Sequence, residues 1–143
     1  MVSQSEEIHD SPVDWVHKHL QQFLATDGKQ GRSSARRLLL TTRGRRSGAL
    51  RRTVLNYWTD GPRFLVVGSN GGSARHPAWY LNLCAEPEVT VQVGAEVFQA
   101  RATTVTADEK ARYWPQFVAT MPSYADFQRK TSRDIPVALL IRN

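Results

Sequence analysis

The chain predicts an α+β fold in which about six mainly antiparallel strands form a barrel with flanking helices. Three observations predict it. Short apolar runs, such as Leu38–Thr42 and Phe64–Val67, follow one another through turn chemistry and not through helices. Helical patterns are few. Strands and helices do not alternate as βαβ units would, which excludes a doubly wound parallel sheet.

The elements follow in order. Ser11-Pro12-Val13-Asp14 reads as a helix start, with a cap, a first-turn proline and an acid in the first turn. Val13, Val16, Leu20, Phe23 and Leu24 share one face and Gly28 ends the helix, so 1–28 is an amphipathic helix, part of the domain or appended to it. That helix either covers a sheet or rests on a membrane or partner surface. Residues 29–143 are then the barrel domain. Leu38–Thr42 is a strand, Gly44-Arg45-Arg46-Ser47-Gly48 a turn, Arg52–Trp58 a second strand and Asp60-Gly61-Pro62 another turn. Phe64–Gly68 is the third strand. Gly71-Gly72 then permits backbone shapes and close approaches that a Cβ would block, before a short helix with Pro77 in its first turn. Pro87 stops that helix. Val89–Val93 alternates with period two, and Gly94-Ala95 turns the chain into Val97–Val105. Thr106 and Glu109 form a capping box, Pro115 should kink or split the helix it opens, and Pro122–Lys130 puts Tyr124 and Phe127 on one face. Pro136–Ile141 is the last strand.

Composition bounds the function. The 143 residues are 41% hydrophobic and 22% charged, as in a globular domain with a real core. No apolar run approaches the ~20 residues of a membrane span. The acidic start, Met1 to Asp10, is not a secretory signal, and Cys84 is the only cysteine, which excludes an internal disulfide and suits a cytoplasmic protein. His9, His17, His19 and His76 make no metal motif. Of 19 basic residues, nine fall between Gly28 and Thr59 with no acid among them: Lys29, Arg32, Arg36, Arg37, Arg43, Arg45, Arg46, Arg51 and Arg52. Positive charge this local points to a polyanionic partner.

Two stretches fit an extended anion. The turn Gly44–Arg52 offers guanidinium forks, and the loop Gly68–Ala78, between a strand and a helix, offers backbone N–H groups with Trp79 and Tyr80 as aromatic surface. No Ser/His/acid or Cys/His arrangement for nucleophilic catalysis stands out, so the chain either binds without catalysing or orients a cofactor that carries the chemistry. A basic barrel that binds nucleic acid, and the same barrel binding FMN or haem, are the competing readings.

Five segments carry a family resemblance: Thr41–Gly48, Ser69-Asn70-Gly71-Gly72, His76–Leu83, Glu86–Val89 and Tyr113-Trp114-Pro115, supported by Pro122-Ser123-Tyr124 and Arg133-Asp134-Ile135-Pro136. Together, in order over roughly residues 37–137, they resemble the actinobacterial deazaflavin (F420)-dependent nitroreductase and quinone reductase family. The resemblance implies a split β-barrel of the FMN-binding type and hydride transfer from reduced coenzyme F420 to a quinone-like, enone or nitro acceptor. It assigns Arg45, Arg46, Ser47 and Arg51 to the cofactor's phosphate and oligoglutamate tail. It assigns Val67, Gly68, Ser69 and Asn70 to the deazaflavin ring and linker, and Ala78, Trp79, Tyr80, Leu81 and Asn82 to the opposite side. Tyr124 would lie over the ring beside the acceptor, with Ser69 the second candidate catalytic residue. Asn70 stands where relatives commonly carry Lys, and Met121, Phe127 and Asn56 stand where one member carries tyrosines, so the acceptor pocket should be more apolar here. The resemblance further implies a small-molecule acceptor, no nucleic acid, a monomer or weak dimer, and a cytoplasmic location or one at the inner face of the membrane.

Overall fold

A computed structural model of the chain describes residues 36–143. The helix expected over 1–28 and nearly all of the basic loop after it lie outside the described residues. Seven strands form one curled antiparallel sheet: β1 (Arg37–Arg43), β2 (Leu50–Asn56), β3 (Trp58–Asp60), β4 (Arg63–Val67), β5 (Glu88–Val93), β6 (Glu96–Thr104) and β7 (Val137–Arg142). Their order is β2-β1-β5-β6-β7-β4-β3. Three helices flank it: α1 (Ala78–Ala85), α2 (Ala107–Thr120) and α3 (Ser123–Lys130).

The antiparallel sheet has the expected form, with seven strands because one expected strand divides. Arg52–Trp58 was expected to run as one strand, but the Tyr57 N–H closes the β1–β2 ladder on the Arg36 carbonyl at 2.9 Å. Beyond it the chain leaves β1, and Trp58–Asp60 pairs with Arg63–Leu65 across a turn whose Gly61 has φ 59°. The two hairpins β1–β2 and β3–β4 therefore stand at opposite ends of the strand order and do not form a meander. Curling returns them to each other: β2 touches β4, and Tyr57 meets Phe64 at 5.6 Å between ring centroids.

Two cores follow from strand alternation. On one face Leu38, Leu40, Val66, Val89, Val91, Phe98, Ala100, Ala138 and Leu140 pack together with Leu83 of α1. On the other, Leu65, Val67, Val137 and Leu139 meet Tyr113 and Phe117 of α2, Tyr124 of α3 and Ile135. β4 and β7 are buried on both faces, which is why their sequences are continuous apolar runs. Phe117, fully buried, anchors the second core.

The helices start as their sequences require, with two corrections. Thr106 and Glu109 make the reciprocal capping box. Pro77 is the cap of α1 and not its first helical residue. Its ψ is 150°, and its carbonyl accepts from the N–H groups of Tyr80 and Leu81. α2 runs through Pro115 without splitting. Pro115 and Ala111, whose carbonyl loses its helical partner, are both exposed, so water can satisfy that carbonyl while Tyr113 and Phe117 hold both halves to the core. No helix among the described residues is long and apolar enough to cross a membrane.

Candidate functional site

The arginine turn is built before it binds anything. Its Gly44 N–H donates to Ala49 O at 2.7 Å, its Gly48 N–H to Gly44 O at 2.8 Å, and its Ala49 N–H to Ser47 Oγ at 3.1 Å. Gly48 has φ 73°, a backbone shape that favours glycine. Arg45, Arg46, Ser47 and Arg51 are all exposed. No described carboxylate pairs with Arg45, Arg46 or Arg51. Buried Asn82 of α1 fixes the turn: its Oδ1 accepts from the Arg45 backbone N–H at 3.2 Å and from Arg45 Nη1 at 3.0 Å, and its Nδ2 donates to Thr42 Oγ1 at 3.3 Å. One side chain thus joins the arginine turn to the helix that follows the glycine loop.

The glycine loop leaves β4 at Gly68, whose N–H donates to Pro136 O at 2.8 Å. Asn70, Gly71 and Gly72 have φ values of 46°, 63° and 78° in succession. Two loop amides are used internally, Gly72 N–H on Ser69 O and Ser73 N–H on Asn70 O. The N–H groups of Ser69 and Asn70 have no acceptor among the described residues. Asn70 Nδ2 closes the loop on Arg75 O at 3.0 Å. Loops with uncommitted amides of this kind receive anionic or carbonyl-rich groups.

The aromatic side lies on α1. Trp79 and Tyr80 are half-buried against the first core, and their rings meet edge-on at 6.1 Å. The Tyr80 hydroxyl lies 2.8 Å from Thr104 Oγ1, and burial pushes its phenol up. Ala78 is exposed and Leu81 half-buried. Of the expected ring-lining residues, Val67 turns its side chain into the second core, and Gly68 is buried against Pro136, so both reach a ligand through backbone alone.

α3 packs on the same loop. A Cβ on Gly72 would stand 3.0 Å from the Phe127 Cα and carbonyl oxygen. Tyr124 is only 7% exposed, with ring centroids 5.7 Å from Trp58, 6.4 Å from Trp114 and 6.0 Å from Phe127. Burial pushes its phenol up, while a hydrogen bond with the Asn56 side chain opposes that shift. Three of the four expected acceptor-shell residues, Met121, Tyr124 and Phe127, belong to the second core, and the fourth, Asn56, is tied to Tyr124. Met121 and Phe127 put apolar surface beside Tyr124 in that core.

Sequence reasoning assigned no role to Arg133. Its guanidinium donates to Ser73 O (2.8 Å), Gly68 O (3.1 Å) and Ser69 O (2.7 Å), and its Nη1 lies 3.0 Å from His76 Nδ1. The only signal available was its place in the segment Arg133–Pro136. His76 is held below its ordinary range, first by burial and then by the Arg133 charge. The unfolded chain therefore binds more protons near this site, and stability should fall as pH drops below about 6.5. Denaturant titrations at about pH 7.5 and about pH 5.5 should show a smaller loss in His76→Gln than in the native protein, with His9, His17 and His19 common to both. Equal losses would remove His76 as a contributor.

A groove of about 220 Å³ lies at the base of the arginine hairpin, lined by Thr41, Arg43, Leu50, Glu86, Glu88, Val89, Thr90 and Gln99. Its two glutamates disfavour a polyanion, and it shares no residue with the glycine loop. Among the described residues no group of three or more His, Cys, Asp or Glu could hold a metal ion.

Comparison with known proteins identifies the family. The family model described as F420H(2)-dependent quinone reductase matches residues 15–142. The chain belongs to that family. An F420H(2)-dependent quinone reductase of Mycobacterium tuberculosis is 36% identical over 137 residues, covering 91% of each chain. Among solved structures, a domain-swapped dimer shares 35% identity at a TM-score of 0.68, covering 91% of this chain and 99% of its own. An F420-H2 dependent reductase shares 36% identity at a TM-score of 0.66, covering 73% of this chain and 92% of its own. The family's fold is the split barrel of FMN-binding type, and its cofactor is coenzyme F420.

Proposed function

We propose that this chain is an oxidoreductase that transfers a hydride from reduced coenzyme F420 to a quinone-like, enone or nitro acceptor. The observation that carries the reading is the join at Asn82, which ties Arg45 of the exposed arginine turn to α1, the helix entered from a loop two of whose amides have no acceptor among the described residues. The bound cofactor supplies the hydride. Arg45, Arg46, Ser47 and Arg51 hold its phosphate and glutamates. Ser69 and Asn70 donate to the ring, while Trp79 and Tyr80 wall the other side. Ala78, Leu81 and Asn82 support that wall, Asn82 by fixing Arg45. Gly68 and Val67 bring the loop close. Residues 29–143 are the cofactor-binding domain, working as a monomer or weak dimer on a small-molecule acceptor in the cytoplasm.

Tyr124 orients the acceptor, and water completes protonation. Burial raises its phenol, which therefore stays protonated at neutral pH. The test is anaerobic oxidation of reduced F420 by menadione. The native protein should turn over, and Tyr124→Phe should lose roughly tenfold in kcat/KM, the equivalent of about 1.4 kcal/mol, with cofactor affinity unchanged. A loss above about a thousandfold would make Tyr124 the proton donor. An unchanged kcat/KM would leave it as packing alone. Failure of reduced F420 to be oxidised, with tight binding of FMN or an oligonucleotide instead, would overturn the reading.

A further inference from the structure

We infer that Arg133 is a positioning residue for the cofactor ring: its guanidinium gathers the carbonyls of Gly68, Ser69 and Ser73 and so fixes the loop that presents the N–H groups of Ser69 and Asn70. The inference rests on the cofactor reading above. Four of the five guanidinium donors are engaged, three on loop carbonyls and one on His76 Nδ1. No described carboxylate pairs with this cation, because Asp134 beside it is held by Lys110 Nζ at 2.5 Å. Arg133 therefore directs its charge at the loop.

The arrangement also acts on the amides. The carbonyl of Gly68 shares a peptide plane with the Ser69 N–H, and that of Ser69 with the Asn70 N–H. A guanidinium bonded to a peptide's oxygen polarises that peptide and strengthens its N–H as a donor. Three peptides are gripped in this way, and the Ser69, Asn70 and Ala74 N–H groups that they carry have no acceptor among the described residues. Arg133 is itself held from behind. Gln128 of α3 donates to the Arg133 carbonyl at 2.8 Å and accepts from the Ile135 N–H at 3.0 Å, and Lys110 of α2 donates to that same Gln128 oxygen at 2.8 Å. Lysine cannot reproduce the fork, since an ammonium has three donors on one atom and cannot span carbonyls five residues apart.

The test uses the full chain and Arg133→Lys. Without cofactor, exchange of the Gly72 and Ser73 amide hydrogens should accelerate at least about tenfold, while β4 and β7 amides keep their protection. F420 affinity, read by fluorescence titration, should weaken at least about tenfold, with kcat at saturating cofactor changed by less than about threefold. Gln128→Ala, which frees the Arg133 backbone but keeps the guanidinium, should shift loop exchange in the same direction and serves if Arg133→Lys does not fold. Unchanged loop exchange in the folded variant, or a lowered Tm with F420 affinity intact, would overturn the inference. Failure of the native protein to bind F420 would instead overturn the cofactor reading, since the exchange measurement needs no cofactor.

Discussion

Gly72→Ala is expected to lower stability by about 2–4 kcal/mol, and Gly71→Ala by only about 1–2 kcal/mol. Both glycines have positive φ, 63° at Gly71 and 78° at Gly72, so each substitution meets backbone strain. Their surroundings differ. A Cβ on Gly71 meets nothing within 4 Å, whereas one on Gly72 stands 3.0 Å from both the Phe127 Cα and its carbonyl oxygen, and 3.2 Å from Lys130 Cδ. Lys130 can swing aside; the backbone of α3 cannot move without disturbing Tyr124, which is buried among Trp58, Trp114 and Phe127. The excess over the Gly71 variant therefore measures how tightly α3 seats on the glycine loop. Urea melts of the two variants check it. Equal losses would mean that α3 gives way freely and that the loop and helix are not one unit.

Replacing both Arg46 and Arg51 by Ala should weaken F420 binding by about a hundredfold, about 1.4 kcal/mol for each guanidinium. Both side chains are exposed, and no described acid competes for them. The fold should not suffer, because surface charges of this kind contribute little to stability. Affinity in the native protein should also fall as salt rises from about 0.05 to about 0.5 M, since exposed ion pairs are screened over about 8–10 Å at physiological strength and over less above it. In the double variant that salt dependence should be much flatter. Fluorescence titration at both salt concentrations distinguishes a tail groove from a merely solvated basic face, for which neither substitution nor salt would matter.

The strands were legible because their chemistry is local. Val89–Val93 alternates, while Phe64–Val67 is continuously apolar because β4 is buried on both faces. The capping box at Thr106 and the glycine loop are likewise short-range signals. What depended on distant partners was not legible. The break at Tyr57 exists because its N–H finds Arg36 O, and the separation of the two hairpins in the sheet appears only in the full strand order. Pro115 reads as a breaker, yet it sits on an exposed helix face where its lost hydrogen bond faces water. Most telling is Arg133, which in sequence is one arginine in a loop. Its partners Gly68 and Ser69 lie 65 and 64 residues away, so neither spacing nor composition could have joined them.

Amide spectra of the isotope-labelled protein during F420 titration test the central claim most directly, namely that the arginine turn and the glycine loop are two ends of one cofactor site. The account predicts that amides of residues 44–51 and 68–73 shift together along one binding curve, and that a free oligoglutamate moves only the first group. Shifts confined to one of these segments, or to the groove lined by Glu86 and Glu88, would contradict it.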